Sequence, residues 1–313
     1  CFEKEINTML AQGVTRVELG VQNIKDETLK YINRGHNLED TKKAIQLLRD
    51  SGYKVGFHWM IGLPKTTREE DIKMFKEIFS NQDYQPDALK IYPCMVFKNT
   101  PLFNIWEKKE FEPITTEEAA SIIVEMKKFI PKYCRVMRVQ RDIPTYRREA
   151  GVDRTNLRQI IHEQMKKMNV KCNCIRCREP MSKEIDWDSV KLNRIDYDAA
   201  NGKEIFLSFD DMKNDILLGF LRLRIPSKPF RKEITPDTSL VRELHVYGNA
   251  AKIGEEETVQ HKGLGIKLME EAEKISKELG CKKVIVISGI GVKDYYRRKL
   301  KYVDDGAYLS KMV

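Results

Sequence analysis

The chain has 313 residues, of which 41% are apolar and 33% charged, and a formal charge of +9; this length and composition allow two or three domains with sizeable cores. No apolar run approaches the ~20 residues that cross a bilayer, and the first thirty residues lack the basic, apolar and small-residue succession of an export signal. Seven cysteines, an odd number, then point to reduced thiols or metal ligands and to a cytoplasmic location.

The chain opens on Cys1 rather than methionine, so a preceding segment is expected to be missing. From residue 1 to about 142 the pattern is strand, loop, helix, repeated. Val17 to Gln22, Lys54 to Gly62, Ala88 to Phe97 and Arg135 to Asp142 read as strands. Glu39 to Arg49, Arg68 to Phe79 and Thr116 to Phe129 carry the apolar 3.6-residue rhythm, with Thr66, Thr67 and Thr116 as plausible caps. Such alternation predicts an α/β region with a parallel sheet and right-handed crossovers, and four strands fit a partial (β/α) barrel. In parallel sheets the ligand lies at the carboxyl ends of strands, here Gly20 to Gln22, Met60 to Pro64, Tyr92 to Cys94 and Gln140 to Pro144. Ordinary turn chemistry at βα loops is the competing reading.

Residues 143 to 190 break the rhythm. They hold a short helix around Leu157 to Met168 and the hexapeptide CNCIRC at Cys172 to Cys177. Residues 127 to 178 contain fifteen Lys or Arg against four Asp or Glu, a net of +11, so the rest of the chain sums to −2. This regional basicity, with Tyr133 and Tyr146 inside it, suits nucleic acid or another polyanion; a solvated helix face is the alternative. Three thiols within six residues suit one soft cation, zinc above all, in a structural site. Cys172, Cys174 and Cys177 are the expected ligands, and Cys94, Cys134 and His162 are candidates for a fourth.

From about Arg194 antiparallel strands begin, at Glu204 to Phe209 and Ile216 to Ile225, with an acidic turn at Asp210 to Asp215. A linker-like stretch from Pro226 to Asp237 leads to a strand at Leu240 to Tyr247. The loop QHKGLG at Gln260 to Gly265 then opens a helix marked by Leu268, Ala272, Ile275 and Leu279, and a buried strand follows at Val284 to Ile287. Glycines there let backbone N–H groups approach a phosphate, and the helix dipole favours the same anion. An acyl-CoA pyrophosphate fits this description; a plain turn fits the six residues equally well. The backbone of Glu243 to Val246 can pair with an amide-rich pantetheine arm as an added strand would. Tyr295 and Tyr296, at the start of Asp294 to Leu300, offer a phenol to protonate a departing thiolate, or simply pack in the core.

QHKGLG, with ELHVYG before it and ISGIGVKDYY after it, resembles the acetyl-CoA core of the GNAT acetyltransferases. VELGVQ, NRGH at Asn33 to His36 and MIGLP resemble the later strands of a radical S-adenosylmethionine barrel. With RVQRDIP and RELHVYG added, the whole chain resembles the catalytic-subunit family of Elongator, of an archaeal or bacterial type. The resemblance implies three regions: a partial radical S-adenosylmethionine barrel over 1–142, a basic linker with a cysteine metal site over 143–190, and a GNAT-like α+β acetyltransferase domain over 191–313. It implies carboxymethylation of wobble uridine in tRNA with acetyl-CoA, S-adenosylmethionine and a 4Fe-4S cluster. By position, Gln260, His261, Lys262, Gly263, Leu264 and Gly265 match the pyrophosphate loop, and Glu243, Leu244, His245 and Val246 match the pantetheine strand. Tyr295 and Tyr296 match the acetyl site. Arg138, Arg141, Arg147, Arg148 and Arg158 match the surface for the tRNA anticodon region.

The family's cluster cysteines lie in an amino-terminal stretch that this sequence does not include, and CNCIRC has neither their spacing nor their location. The chain is therefore expected to bind acetyl-CoA and tRNA and to hydrolyse the thioester without running the radical step. Near the end, the turn from Arg297 to Tyr302 has lysine where the family more often has glycine. A homodimer or other Elongator subunits are expected partners, and a membrane is not. Two other readings stand beside this one: a protein lysine acetyltransferase using Glu243 as base, and a non-catalytic tRNA-binding scaffold ordered by acetyl-CoA.

Overall fold

Strand β2 (Lys54–Ile61) alternates buried Val55, Phe57, Trp59 and Ile61 with half-buried Lys54, His58 and Met60, as a strand does when helices cover one of its faces. The computed structural model describes residues 1–141, 143, 145–181, 183–247 and 263–313. These residues fold as two compact units, residues 18–42 with 56–177, and residues 1–17 with 43–55 and 178–313. The basic segment read between residues 143 and 190 is shared between them, 143–177 in the first and 178–190 in the second.

The first unit is built on a four-stranded sheet in the order β1 (Arg16–Gln22), β2, β3 (Ala88–Pro93) and β5 (Arg135–Arg138). β2 pairs parallel to β3, and β3 parallel to β5. α4 (Arg68–Ser80) follows β2 and buries Met74, Phe75 and Ile78. Thr67 caps it, accepting from the Glu70 N–H while the Glu70 carboxylate accepts from Thr67 N–H. α6 (Thr116–Lys127) follows β3, and here the cap moves by one residue from the expected Thr116. Thr115 makes the reciprocal pair with Glu118, leaving the Thr116 hydroxyl to donate to Asp153. The long strand expected over Ala88 to Phe97 breaks at Cys94. Its end becomes β4 (Val96–Phe97), which pairs antiparallel with β6 (Arg148–Ala150). α7 (Leu157–Lys167) buries Leu157, Ile161 and Met165.

The second unit carries a seven-stranded sheet in the order β12 (Val303–Asp305), β13 (Tyr308–Met312), β11 (Lys283–Val286), β10 (Thr238–Val246), β9 (Ile216–Ile225), β8 (Gly202–Asp211), β7 (Val190–Ala199). β10 and β11 are parallel and the other pairings antiparallel. One face is apolar. Ile205, Leu207, Leu221, Leu223 and Val241 pack there with Leu268, Met269, Ala272 and Ile275 of α9 (Leu264–Glu278). β7 is an edge strand with a mostly exposed face, so its polar alternation did not mark it as a strand. The arrangement is the GNAT-like α+β sheet expected after a partial parallel barrel.

The other face of this sheet holds charge. Arg49, at the end of α3 (Leu38–Asp50), donates to Glu204 at 2.9 Å, and Arg224 donates to the same carboxylate at 3.0 Å and to Asp50 at 2.6 Å. Arg242 donates to Glu204 at 2.7 Å and to the Tyr53 carbonyl at 2.7 Å. All five side chains are at most 1% exposed. The register of β10 against β9 slips between Val241 and Glu243, so Arg242 is the extra residue of a bulge. The bulge lets Arg242 and Glu243 both engage polar partners, and Glu243 accepts from Arg222 at 2.8 Å. Gly202 is required beside this cluster, since a Cβ there would stand 2.6 Å from the Arg224 guanidinium.

Truncating one member leaves a buried charge without its counter-ion. Asp50→Ala should therefore cost about 3–5 kcal/mol of unfolding free energy, whereas Arg194→Ala, at the half-exposed pair with Asp196, should cost under ~1 kcal/mol. Denaturant titration of both variants checks the contrast.

Candidate functional site

Gly263 caps α9 in the left-handed region, at φ +67°, and turns the chain so that the first N–H groups of a fifteen-residue helix are presented together. Gly265 then allows a close approach. A Cβ on it would lie 2.9 Å from the Tyr295 hydroxyl and 3.6 Å and 3.9 Å from Val246 and Leu244. The structure thus brings Gly263, Leu264, Gly265, Leu244, Val246 and Tyr295 to one place. Gln260, His261 and Lys262 lie outside the described residues.

The parallel ladder of β10 with β11 ends at Val241 opposite Val286, while β10 continues beside β9 to Val246 opposite Gly219. Beyond Val241 the ladder to β11 stops, because β11 ends at Val286, while β10 runs on beside β9. Leu244 and Val246 pack towards α9. Glu243 and His245 take the opposite face, Glu243 paired with Arg222 and His245 stacked on Phe220 at 5.6 Å.

The two tyrosines of α10 (Lys293–Leu300) separate. Tyr296 is buried beside Tyr302, and burial pushes its phenol far up. Tyr295 is half-buried with its hydroxyl beside Gly265, and burial raises it too, so both are neutral donors near neutral pH. The lysine singled out after this helix is Lys301, a C-cap at φ +64°, the conformation that a glycine adopts without strain.

In the first unit the carboxyl ends of the strands are shaped by polar contacts. Arg34 donates to the Gly20 carbonyl at 2.8 Å, and Gln22 sits at φ +63°. Gly62, at φ +67°, has no room for a side chain against Ile114, and its N–H donates to buried Asp71 at 2.7 Å. Burial pushes the Asp71 carboxyl up to about 6 despite that bond and one from Thr66. Burial likewise pushes the Cys94 thiol up to about 12, which keeps it inert. Glu18, His58 and Lys90, on adjacent strands, form one cluster. Burial opposes ionisation of Glu18, but hydrogen bonds from Lys90 and His58 overcome it and hold the carboxyl below its usual range. Sequence reasoning missed this cluster, whose signal is a titratable residue on the half-buried face of each strand. Asp142 and Pro144 lie outside the described residues.

Of the basic residues, Arg138, Arg141 and Arg147 are exposed, with Arg141 6.0 Å from the Tyr92 ring and Arg147 5.9 Å from the Tyr146 ring. Tyr146 is 79% exposed. Tyr133, by contrast, is buried with its hydroxyl on Gln85. Arg148 and Arg158 are half-buried, and Arg158 donates to the Met137 carbonyl at 3.2 Å.

The sulfurs of Cys172, Cys174 and Cys177 lie within 4.8 Å of one another. Hydrogen bonds from Cys172 and Cys177 hold the Cys174 thiol far below the usual thiol range, so the triad favours a thiolate there. Cys94, Cys134 and His162 are not in this group. Ile175 N–H donates to the Cys134 carbonyl, which places the triad beside the start of β5, at the opposite end of the strand from the polar loops. Such a position fits a structural cation and does not fit a cluster that must meet a ligand at the carboxyl ends. Among the described residues no helix is long and apolar enough to cross a membrane.

The chain matches known proteins along its whole length. Residues 2–78 match the radical SAM superfamily model and residues 86–167 the radical SAM C-terminal domain model. S-adenosylmethionine and a 4Fe-4S cluster are what that superfamily implies. The chain is 53% identical over 321 residues to the tRNA uridine(34) acetyltransferase of Methanocaldococcus jannaschii, covering 99% of this chain and 59% of that protein. It is 41% identical to Elongator complex protein 3 of Saccharomyces cerevisiae, covering 100% of this chain and 58% of that protein. The solved structure of archaeal Methanocaldococcus infernus Elp3 with an N-terminal deletion superposes with a TM-score of 0.95 at 51% identity, covering 100% of this chain and 76% of that one. The chain spans less than two thirds of the curated relatives' length.

Two outcomes follow from these geometries. Gly265→Ala should lower stability by ~1–3 kcal/mol through overpacking against the Tyr295 hydroxyl, and Tyr295→Phe in the same chain should restore part of it; thermal unfolding of the single and double variants reads the coupling. Asp71 holds its proton more tightly folded than unfolded, so its contribution is fully present below pH 3.8 and is lost as the pH rises to about 6. Asp71→Asn should remove that component, of order 2–3 kcal/mol, from the pH dependence of unfolding.

Proposed function

This chain belongs to the Elongator complex protein 3 family, and we propose that it is the acetyl-CoA- and tRNA-binding part of a tRNA uridine(34) acetyltransferase. The observation that carries the reading is the convergence of Gly263, Gly265, Leu244, Val246 and Tyr295 at the amino end of α9. The α9 N–H groups hold the pyrophosphate, and the backbone of Glu243 to Val246 pairs with the pantetheine arm beyond the end of the β10–β11 ladder. Gln260, His261 and Lys262 complete the phosphate loop. Acetyl-CoA supplies an activated acetyl group as a thioester. The neutral Tyr295 phenol sits where it can donate a proton to the departing CoA sulfur. Tyr296 supports it from the core through an edge-on ring contact at 5.4 Å.

Exposed Arg138, Arg141 and Arg147 contact tRNA phosphates, with Arg148 and Arg158 holding the segment beneath them. Cys172, Cys174 and Cys177 hold a structural zinc ion that ties this segment together. S-adenosylmethionine belongs at the polar carboxyl ends of the first unit's strands, and the cluster it needs is not supplied by the cysteines of this chain. The site works in the cytoplasm, with other Elongator subunits or a second copy as partners. Glu243 is bound to Arg222, which disfavours it as the free base that a protein lysine acetyltransferase needs.

Acetyl-CoA hydrolysis by this chain should be stimulated by tRNA, and Tyr295→Phe should reduce hydrolysis while leaving tRNA affinity unchanged. Turnover indifferent to tRNA, or unaffected by the Tyr295 change, would favour a scaffold instead. For the basic surface, Arg141→Ala should weaken tRNA binding and lower the salt slope by about one unit, measured by titration at several ionic strengths.

A further inference from the structure

Lys127, the last residue of α6, is fully buried. Its Nζ lies 3.6 Å from Cys172 Sγ and 4.0 Å from Cys177 Sγ. Among the described residues, these two sulfurs are the only acceptors recorded for it, and no carboxylate forms an ion pair with it. A buried ammonium without a counter-ion is strongly destabilising. Arg158 and Arg176 add positive charge near the triad rather than relieving it. The groups beside it that can carry compensating negative charge are the sulfurs.

We propose that Lys127 is the cationic outer partner of the three-cysteine metal centre, donating N–H···S hydrogen bonds to Cys172 and Cys177. A divalent cation held by three thiolates keeps a surplus negative charge, and one ammonium cancels it. Lys127 is suited to this because water cannot screen it, whereas Arg158 is half-buried and committed to the Met137 carbonyl. The cation, the three thiolates and the ammonium then sum to zero charge, as suits a closed structural site inside a protein. Lys127 also ends α6, so its bond to the sulfurs fastens that helix to the loop after α7. The inference rests on the reading that the triad binds a soft divalent cation; it names a residue that decides how tightly.

The test uses the whole chain with zinc and cobalt(II), a chromophoric chelator as competitor, and the variants Lys127→Met and Lys127→Arg. Wild type should bind one equivalent. Lys127→Met should bind it about 10- to 100-fold more weakly, with an unchanged cobalt absorption pattern because the bound sulfurs are the same. Lys127→Arg should recover part of the affinity. In the reduced, metal-free state Lys127→Met should melt no lower than wild type, since it removes an ammonium that has lost its anion. Affinity within twofold of wild type overturns the proposal, and so does a cobalt spectrum showing that an amine ligand has been lost. A wild type that takes up no cation overturns the metal reading itself, a result visible before any variant is made. Where the methionine variant does not fold, Lys127→Gln serves the same comparison.

Discussion

The buried charges on the polar face of the seven-stranded sheet constrain everything around the proposed acetyl-CoA site. Three guanidiniums meet two carboxylates where water does not reach, so their geometry has to be satisfied by the protein alone. Arg224 of β9 and Glu204 of β8 lock those two strands together, and Arg242 adds β10. Residues 49 to 53 supply the remaining partners, including the Tyr53 carbonyl. Removal of any member exposes the others to an uncompensated interior charge, so the cluster acts as a single unit. What it fixes is β10, and β10 carries the segment from Glu243 to Val246.

Much of the architecture was legible because amphipathic periodicity is local. The βα rhythm, the strands from Glu204 to Ile225, and the helix after the glycine loop all follow from patterns a few residues long. The composition of the second unit was not legible. Arg49 and Asp50 look like the end of a solvated helix, and their partners Glu204 and Arg224 lie far along the chain. Thr115 and Thr116 are chemically equivalent as caps; the competing bond from Thr116 to Asp153 depends on residues 37 positions away. Tyr295 and Tyr296 present the same limit at shorter range. Adjacent helical residues point about 100° apart, so one reaches Gly265 and the other enters the core. The cysteine triad was visible in sequence, but buried Lys127 was hidden in an ordinary basic helix end.

The two anion-binding surfaces of the proposed function differ in physical kind. At the amino end of α9 the positive field comes from fixed peptide dipoles, ordered by a glycine in the left-handed conformation. On the basic segment it comes from exposed guanidiniums on flexible stems, whose pull fades within a Debye length of ~8 Å at physiological salt. The first suits a small cofactor that must be held in one pose. The second suits a large polyanion that is gathered first and positioned afterwards, with exposed Tyr146 beside Arg147 offering a ring to an unpaired base.

The single extra residue at Arg242 has a consequence for how this sheet can vary. Side chains alternate with period two, so one inserted residue exchanges the inward and outward sets downstream of it. Upstream of the bulge, Val241 lies on the apolar face; downstream, Leu244 and Val246 do. Pairing without the bulge, with Arg242 kept, would send Glu243 and His245 into the helix-packed core and turn Leu244 and Val246 outward; removal of Arg242 itself would leave Glu243 opposite Arg222 and Leu244 opposite Leu221. The bulge is thus a parity marker: a one-residue change elsewhere in the strand exchanges its two surfaces, whereas a lone deletion at Arg242 is absorbed and costs the guanidinium but not the facing of the strand.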